Sequence, residues 1–143
     1  MKRHNGRILT VLALYNMDLN NYNYDESIKC FDDIKNLEME YEYQVEIDYK
    51  YSEKLFRGTL DHLDEINQII SASLTNYTLD RLSYVDRAII RSATYEMKFE
   101  KIAKNIVIDE ALLITREYSN LENNAQVKFN NRLLDVIAKN VYE

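Results

Sequence analysis

Three sets of side chains carry charge or an aromatic face at spacings that suit recognition of an anion or a nucleic-acid strand. The first is Lys2, Arg3, His4 and Arg7, where Arg3 and Arg7 stand one helical turn apart on a common face. The second is Arg81, Arg87 and Arg91, around the start of one amphipathic segment, where positive charge opposes the helix dipole. The third is Lys128-Phe129-Asn130-Asn131-Arg132. There a ring can stack a base, cations can meet phosphates and an amide can read a base edge. Each set also has a plainer reading. The tail can be a solubilising terminus, and the arginines can pair with the acidic stretch 38–65. Phe129 lies at the margin of the stripe Val127, Leu134, Ile137 and Val141, so it can be the edge of a core.

Catalytic constellations are not apparent. His4, His62 and Cys30 are the only imidazoles and thiol, too few for a zinc site. Gly6 and Gly58 have no glycine neighbours, so no phosphate-binding loop exists. Asp32-Asp33 and Asp64-Glu65 read as solvated helix faces rather than acid–base pairs. No enzyme activity, metal or cofactor is expected.

The elements that must position these residues are helices. The chain has 143 residues, 46% apolar and 29% charged, with no Pro and two Gly, which suits one all-α domain with its own core. A lone Cys excludes an intrachain disulfide and fits a reducing, cytoplasmic setting. No apolar run approaches the ~20 residues of a membrane span. The basic first residues lead into an amphipathic helix, so no signal peptide is expected. A net charge of −6 argues against broad, non-specific nucleic-acid binding. Its distribution is uneven: residues 18–65 hold 14 acidic and 5 basic side chains, residues 81–104 six basic and three acidic. A localised basic face on an acidic body is therefore possible.

The organising stretch is Asn76–Glu100. Thr78 can cap a short turn, and Ser83 with Asp86 forms a capping-box pattern for a helix apolar over more than half its circumference, hence central. Before it, helices are expected over about 3–17 (Ile8, Val11, Leu12 and Tyr15 inward), from about Asp25 (capped by Asp25 or Ser27, burying Ile28, Phe31 and Ile34 or Leu37), and over 48–74. Gly58 inside the last of these implies close approach of a neighbouring helix. After it, helices are expected over about 106–118, with Tyr118 inward, and 125–141, with 120–124 a break. Residues 37–51 alternate apolar and polar like a strand, but nothing else in the chain would pair with one, so an extended connector is expected. The total is seven helical pieces.

Five blocks, in order and spacing, resemble the NusB family of bacterial transcription antitermination factors. They are Ala13-Leu14-Tyr15; Leu55, Gly58, His62 and Glu65-Ile66; Leu79-Asp80-Arg81-Leu82 with Val85 to Arg91 and Tyr95-Glu96; Ile106 to Ala111; and Lys128-Phe129-Asn130-Asn131 with Leu134-Asp135. The resemblance implies a single all-α, NusB-like domain of about seven helices in two packed subdomains, 1–75 and 76–143. It implies a non-enzymatic factor that pairs with NusE, a small-subunit ribosomal protein. The pair binds boxA of nascent ribosomal RNA within the RNA polymerase antitermination complex. Carried over by position, Lys2, Arg3, Arg7, Lys128, Phe129 and Asn131 would touch RNA. Tyr15, Asp86, Arg87 and Arg91 would face NusE or the seam between partner and RNA. The chain departs from the family pattern at Tyr77, where Trp is usual, near Ala103, where Pro is usual, and at Arg132, where Gly is usual; Arg132 adds a cation beside the RNA site. The alternative is a protein-interaction or scaffold module without intrinsic RNA specificity, of the kind fused to ribosomal-RNA cytosine methyltransferases. A homodimer that hides the RNA face is a further possibility.

Overall fold

Eleven of the fifteen residues of Tyr84–Lys98 are buried, and a helix covered on that many sides can only be the centre of its fold. The computed structural model describes residues 1–40, 45–119 and 123–142. Its elements are α1 (Lys2–Asn20), α2 (Tyr24–Glu40), α3 (Tyr49–Asp61), α4 (Leu63–Ser73), a 3-10 turn (Leu79–Arg81), α5 (Tyr84–Lys98), α6 (Lys104–Tyr118) and α7 (Ala125–Tyr142). The fold is all-α, and the described residues contain no strand. Helices α1, α3, α4, α6 and α7 all pack on α5.

Local chemistry sets the starts. Ser83 Oγ accepts the Asp86 N–H at 3.1 Å and donates to the Asp86 carboxylate at 2.7 Å, so α5 opens on the expected cap. Thr78 precedes the 3-10 turn without a side-chain bond to it. Helix α2 begins earlier than expected. Asn23 accepts the Glu26 N–H at 2.9 Å and Glu26 accepts the Asn23 N–H at 3.0 Å, a reciprocal cap that displaces Asp25 and Ser27 from that role. Phe31 is buried there, whereas Leu37 stays exposed.

The expected 48–74 helix is two helices. The chain breaks at His62, whose ring stacks on Phe99 with centroids 3.9 Å apart and planes 17° from parallel. The break turns α4 onto α5 and α7. Gly58 is required where it stands: a Cβ would run into the Tyr95 ring of α5, the close approach its position implied. The alternating stretch resolves partly. Helix α2 continues to Glu40, residues 45–48 belong to no helix or strand, and Asp48 caps α3 by accepting the Tyr51 N–H at 3.0 Å. Tyr41 and Tyr43 lie outside the described residues, as do 120–122 of the expected break before α7.

Helix α1 buries a different face from the one its apolar spacing indicates. Gly6, Thr10 and Ala13 are buried with Leu9, Leu14 and Met17, and Thr10 Oγ1 lies 2.8 Å from Ser52 Oγ of α3. Small side chains let α3 and α5 approach closely, which apolar periodicity does not register. Of the expected stripe only Val11 is buried; Ile8 and Tyr15 are half-buried and Leu12 is exposed. Tyr118 of α6 is likewise exposed rather than inward.

Candidate nucleic-acid interface

The N-terminal set is tied down along its whole length. Residues 46–48 close over it: the Asp48 N–H donates to the Lys2 carbonyl at 3.0 Å, the Asn5 amide to the Glu46 carbonyl at 2.8 Å. Lys2 is exposed, 3.7 Å from Glu46, and the Arg3 guanidinium covers the Tyr51 ring at 4.3 Å. His4 stands between Glu110, at 2.5 Å, and Glu117, at 3.4 Å. Arg7 is only 7% exposed. Its Nε donates to Glu96 Oε1 at 2.8 Å, and the Tyr51 hydroxyl donates to that same oxygen at 2.9 Å. Burial lifts the Glu96 carboxyl above its usual range against the pull of Arg7 and Tyr51. Burial opposes the charge on Arg7, yet Glu96 holds its pKa above the ordinary value. Arg7 is thus the partner that allows a buried carboxylate.

The α5 set divides by depth. Arg91 is buried, donating from Nη1 to Asp18 at 2.8 Å and from Nε to Asn67 at 3.0 Å, and burial lowers its pKa despite Asp18. Asp86, 3% exposed, accepts from Ser83, from Ser119 at 2.8 Å and from Asn130 at 3.1 Å. It joins the start of α5 to the end of α6 and to α7. Arg87 and Tyr15 are half-buried. The Arg87 guanidinium lies over Tyr84 at 4.9 Å and donates to the carbonyl of Leu82 at 3.1 Å, and Tyr15 meets Tyr84 edge-on at 6.4 Å. Beside them Ile8, Leu12, Tyr15, Val85 and Tyr118 line an open apolar cleft of about 260 Å³. The sequence reading had assigned its α1 residues to the core.

The α7 set is the least committed. Lys128, Asn131 and Arg132 are exposed, and Phe129 is half-buried against Tyr77 with ring centroids 5.4 Å apart at 58°. The Arg81 guanidinium covers the other ring at 4.6 Å, and the Tyr77 hydroxyl donates to the Arg81 carbonyl at 3.0 Å. Among the described residues none of Arg81, Lys128 and Arg132 forms an ion pair. The sequence marks Tyr77 only as a departure from the usual Trp; its four-residue spacing to Arg81 is the signal for the stack.

The structure joins α7 to the start of α5 through the Asn130–Asp86 bond, and Phe129 and Asp86 line one cleft. It does not bring the tail there. Arg7 meets α5 at Glu96, ten residues beyond Asp86, or about 15 Å at the helical rise. Among the described residues no helix is long and apolar enough to cross a membrane, and no cluster of three or more His, Cys, Asp or Glu could hold a metal ion.

Comparison with known proteins agrees with this architecture. The model of the NusB family matches residues 4–139. The transcription antitermination protein NusB of Borreliella burgdorferi is 34% identical over 141 residues, covering 96% of this chain and 94% of that one. That of an Exiguobacterium species is 31% identical over 123 residues, covering 85% and 88%. Among solved structures, NusB of T. maritima superposes with a TM-score of 0.78 at 32% identity, covering 97% of this chain and 92% of the other. The antitermination factors NusB and NusE in complex with dsRNA give 0.78 at 28%, covering 96% of each chain. The chain belongs to the NusB family, whose members are non-enzymatic transcription antitermination factors.

Proposed function

We propose that this chain pairs with NusE and that the pair binds boxA of nascent ribosomal RNA within the RNA polymerase antitermination complex. The observation that carries the reading is the α7 corner: cations without an ion pair among the described residues, around a half-exposed ring, on a protein of net charge −6. Cations left without carboxylates on an acidic surface are available to phosphates, and the ring is available to a base. The solved NusB–NusE complex with dsRNA supports both partners. Lys128, Phe129 and Asn131 make direct contacts in this reading, with Lys2 and Arg3 reaching the strand from the tail. Arg7 acts from beneath, by fixing the first turn of α1.

NusE covers the apolar cleft beside Tyr15 and Arg87, while Asp86 and Arg91 hold that face in shape from behind. The exposure of Leu12 and Tyr118 in the cleft also supports the second reading, a homodimer formed through the same face. Co-purification with the cognate NusE, followed by boxA binding at two salt concentrations, tests the first reading. Affinity should rise on adding NusE and fall steeply with salt. Light scattering behind size exclusion tests the second: a dimer that NusE converts to a heterodimer places both on one face, and RNA binding indifferent to NusE and to salt overturns the proposal.

A further inference from the structure

Phe129 does not stand alone at its corner. Tyr77 comes from the linker between α4 and α5, more than fifty residues earlier, yet its ring packs against Phe129 at 5.4 Å. The two rings form a wall between two open clefts. One, of about 180 Å³, is bounded by Thr75, Leu133, Val136 and Arg132. The other, of about 270 Å³, is bounded by Arg81, Ser83 and Gln126. Each cleft therefore has both rings and one guanidinium in its lining, Arg132 in the first and Arg81 in the second. Both rings are half-buried against the core, and one face of Tyr77 is already covered by the Arg81 guanidinium at 4.6 Å.

Ion pairing is uneven across the described surface, and Lys50, Lys101, Lys104, Arg116 and Lys139 also reach no carboxylate among the described residues. Lys2, Lys35 and Lys54 all reach carboxylates even where the surface is well solvated. Arg132 lines one cleft beside the Tyr77–Phe129 wall and Arg81 the other, where the buried Asp86 also stands; neither arginine, nor Lys128 next to Phe129 in the chain, forms an ion pair among the described residues. Guanidiniums set beside aromatic rings fit an anionic ligand, and rings next to cations fit a single strand better than a duplex, whose bases are already stacked.

We propose that Tyr77 and Phe129 form one composite stacking wall that separates two unpaired bases of a single-stranded RNA. Arg81 and Arg132 neutralise the phosphates on either side. The inference rests on the RNA-binding reading above and extends it onto the α4–α5 linker. Tyr77 is then a binding residue rather than only a core edge, and Arg132 is a phosphate contact. Arg81 has two tasks: one face of its guanidinium stiffens Tyr77, and its remaining N–H groups point to the backbone of the strand.

The test uses the full chain with its NusE, and fluorescein-labelled boxA RNA titrated across a salt series. Tyr77→Leu, which keeps apolar volume but removes the π face, should weaken binding about tenfold, and Tyr77→Phe should restore it. Arg81→Ala and Arg132→Ala should each lower the slope of log affinity against log salt by about 0.7, as expected for one phosphate on a single strand. Ultraviolet cross-linking of the unmodified protein to a uridine-substituted boxA strand should place adducts on both the Tyr77 and Phe129 peptides, a readout independent of any variant's folding. Adducts on Phe129 alone, with Tyr77→Leu and Arg132→Ala binding like wild type, would overturn the composite wall and leave the RNA-binding reading standing. Absence of salt-sensitive RNA binding by the unmodified pair would overturn both.

Discussion

Arg7 and Arg91 are 7% and 6% exposed, each with a carboxylate oxygen at 2.8 Å, whereas Arg81 and Arg132 are exposed and unpaired among the described residues. In the sequence all four look alike, as arginines near the ends of amphipathic segments of an acidic protein. The seam between α1 and α5 uses its guanidiniums to neutralise Glu96 and Asp18, which are otherwise costly to bury. The corner between the α4–α5 linker and α7 leaves its guanidiniums in water. Removing a cation should therefore act differently in the two regions: in the seam it orphans a buried acid and costs stability, whereas at the corner, on the proposed reading, it should lower affinity for RNA.

The largest effect is expected at Arg7. Arg7→Ala leaves Glu96, 2% exposed, without its guanidinium and should cost about 3–5 kcal/mol of folding stability in urea denaturation. The deficit should depend on pH. Burial already raises the Glu96 pKa, and losing Arg7 raises it further. A carboxyl with a folded pKa above its unfolded value contributes fully below the unfolded pKa, and that contribution is lost as pH rises through the folded one. The variant should thus lie closer to wild type at about pH 5 than at about pH 8. An unchanged urea midpoint with weakened RNA binding would break the comparison and return Arg7 to direct RNA contact.

Arg91→Ala follows, at about 2–3 kcal/mol, because Asp18 and Asn67 lose charge-assisted bonds but lie nearer the surface. NusE binding should fall only as far as the folded fraction falls, which co-purification at a temperature well below the melting transition resolves. Loss of NusE from a fully folded variant would instead make Arg91 a contact residue.

How much of this was legible beforehand depends on the range of the interaction. The Ser83–Asp86 cap, the apolar circumference of α5 and the composition of Lys128–Asn131 are local, and spacing alone reveals them. The seam is not local: Arg7 and Glu96 are 89 residues apart and Asp86 and Asn130 are 44 apart, so nothing in either neighbourhood announces the pairing. The inner face of α1 was misread because Gly6, Thr10 and Ala13 are buried for their size rather than their hydrophobicity. The break at His62 was missed because no Pro or Gly marks it; a tertiary stack on Phe99 accompanies it instead. The five family blocks imply partners and roles that neither spacing nor burial suggests.

Phe129 sharpens the contrast from the other side. Phe129→Ala should remove about 1–3 kcal/mol of RNA affinity if a base stacks on it. Because the ring is half-buried against Tyr77, some stability should go as well, but less than at Arg7. Measuring affinity and urea midpoint on the same preparation separates the two. A ring that acts only as core edge would lower the midpoint and leave affinity unchanged.

Lys128→Ala should have the smallest effect and the cleanest interpretation. The side chain is exposed and meets no carboxylate among the described residues, so stability should move by no more than about 0.5 kcal/mol. If its ammonium displaces a counterion from one phosphate, log affinity should fall less steeply with log salt, by about 0.7 in slope, and the loss should be greatest at low salt. Arg7→Ala, measured where the variant is still folded, should leave that slope unchanged, because a guanidinium already neutralised by Glu96 has no counterion to release from RNA. Two cations removed from one protein would then give a stability change without a slope change and a slope change without a stability change. Equal slopes for both variants would mean that burial does not separate the structural arginines from those that meet the ligand.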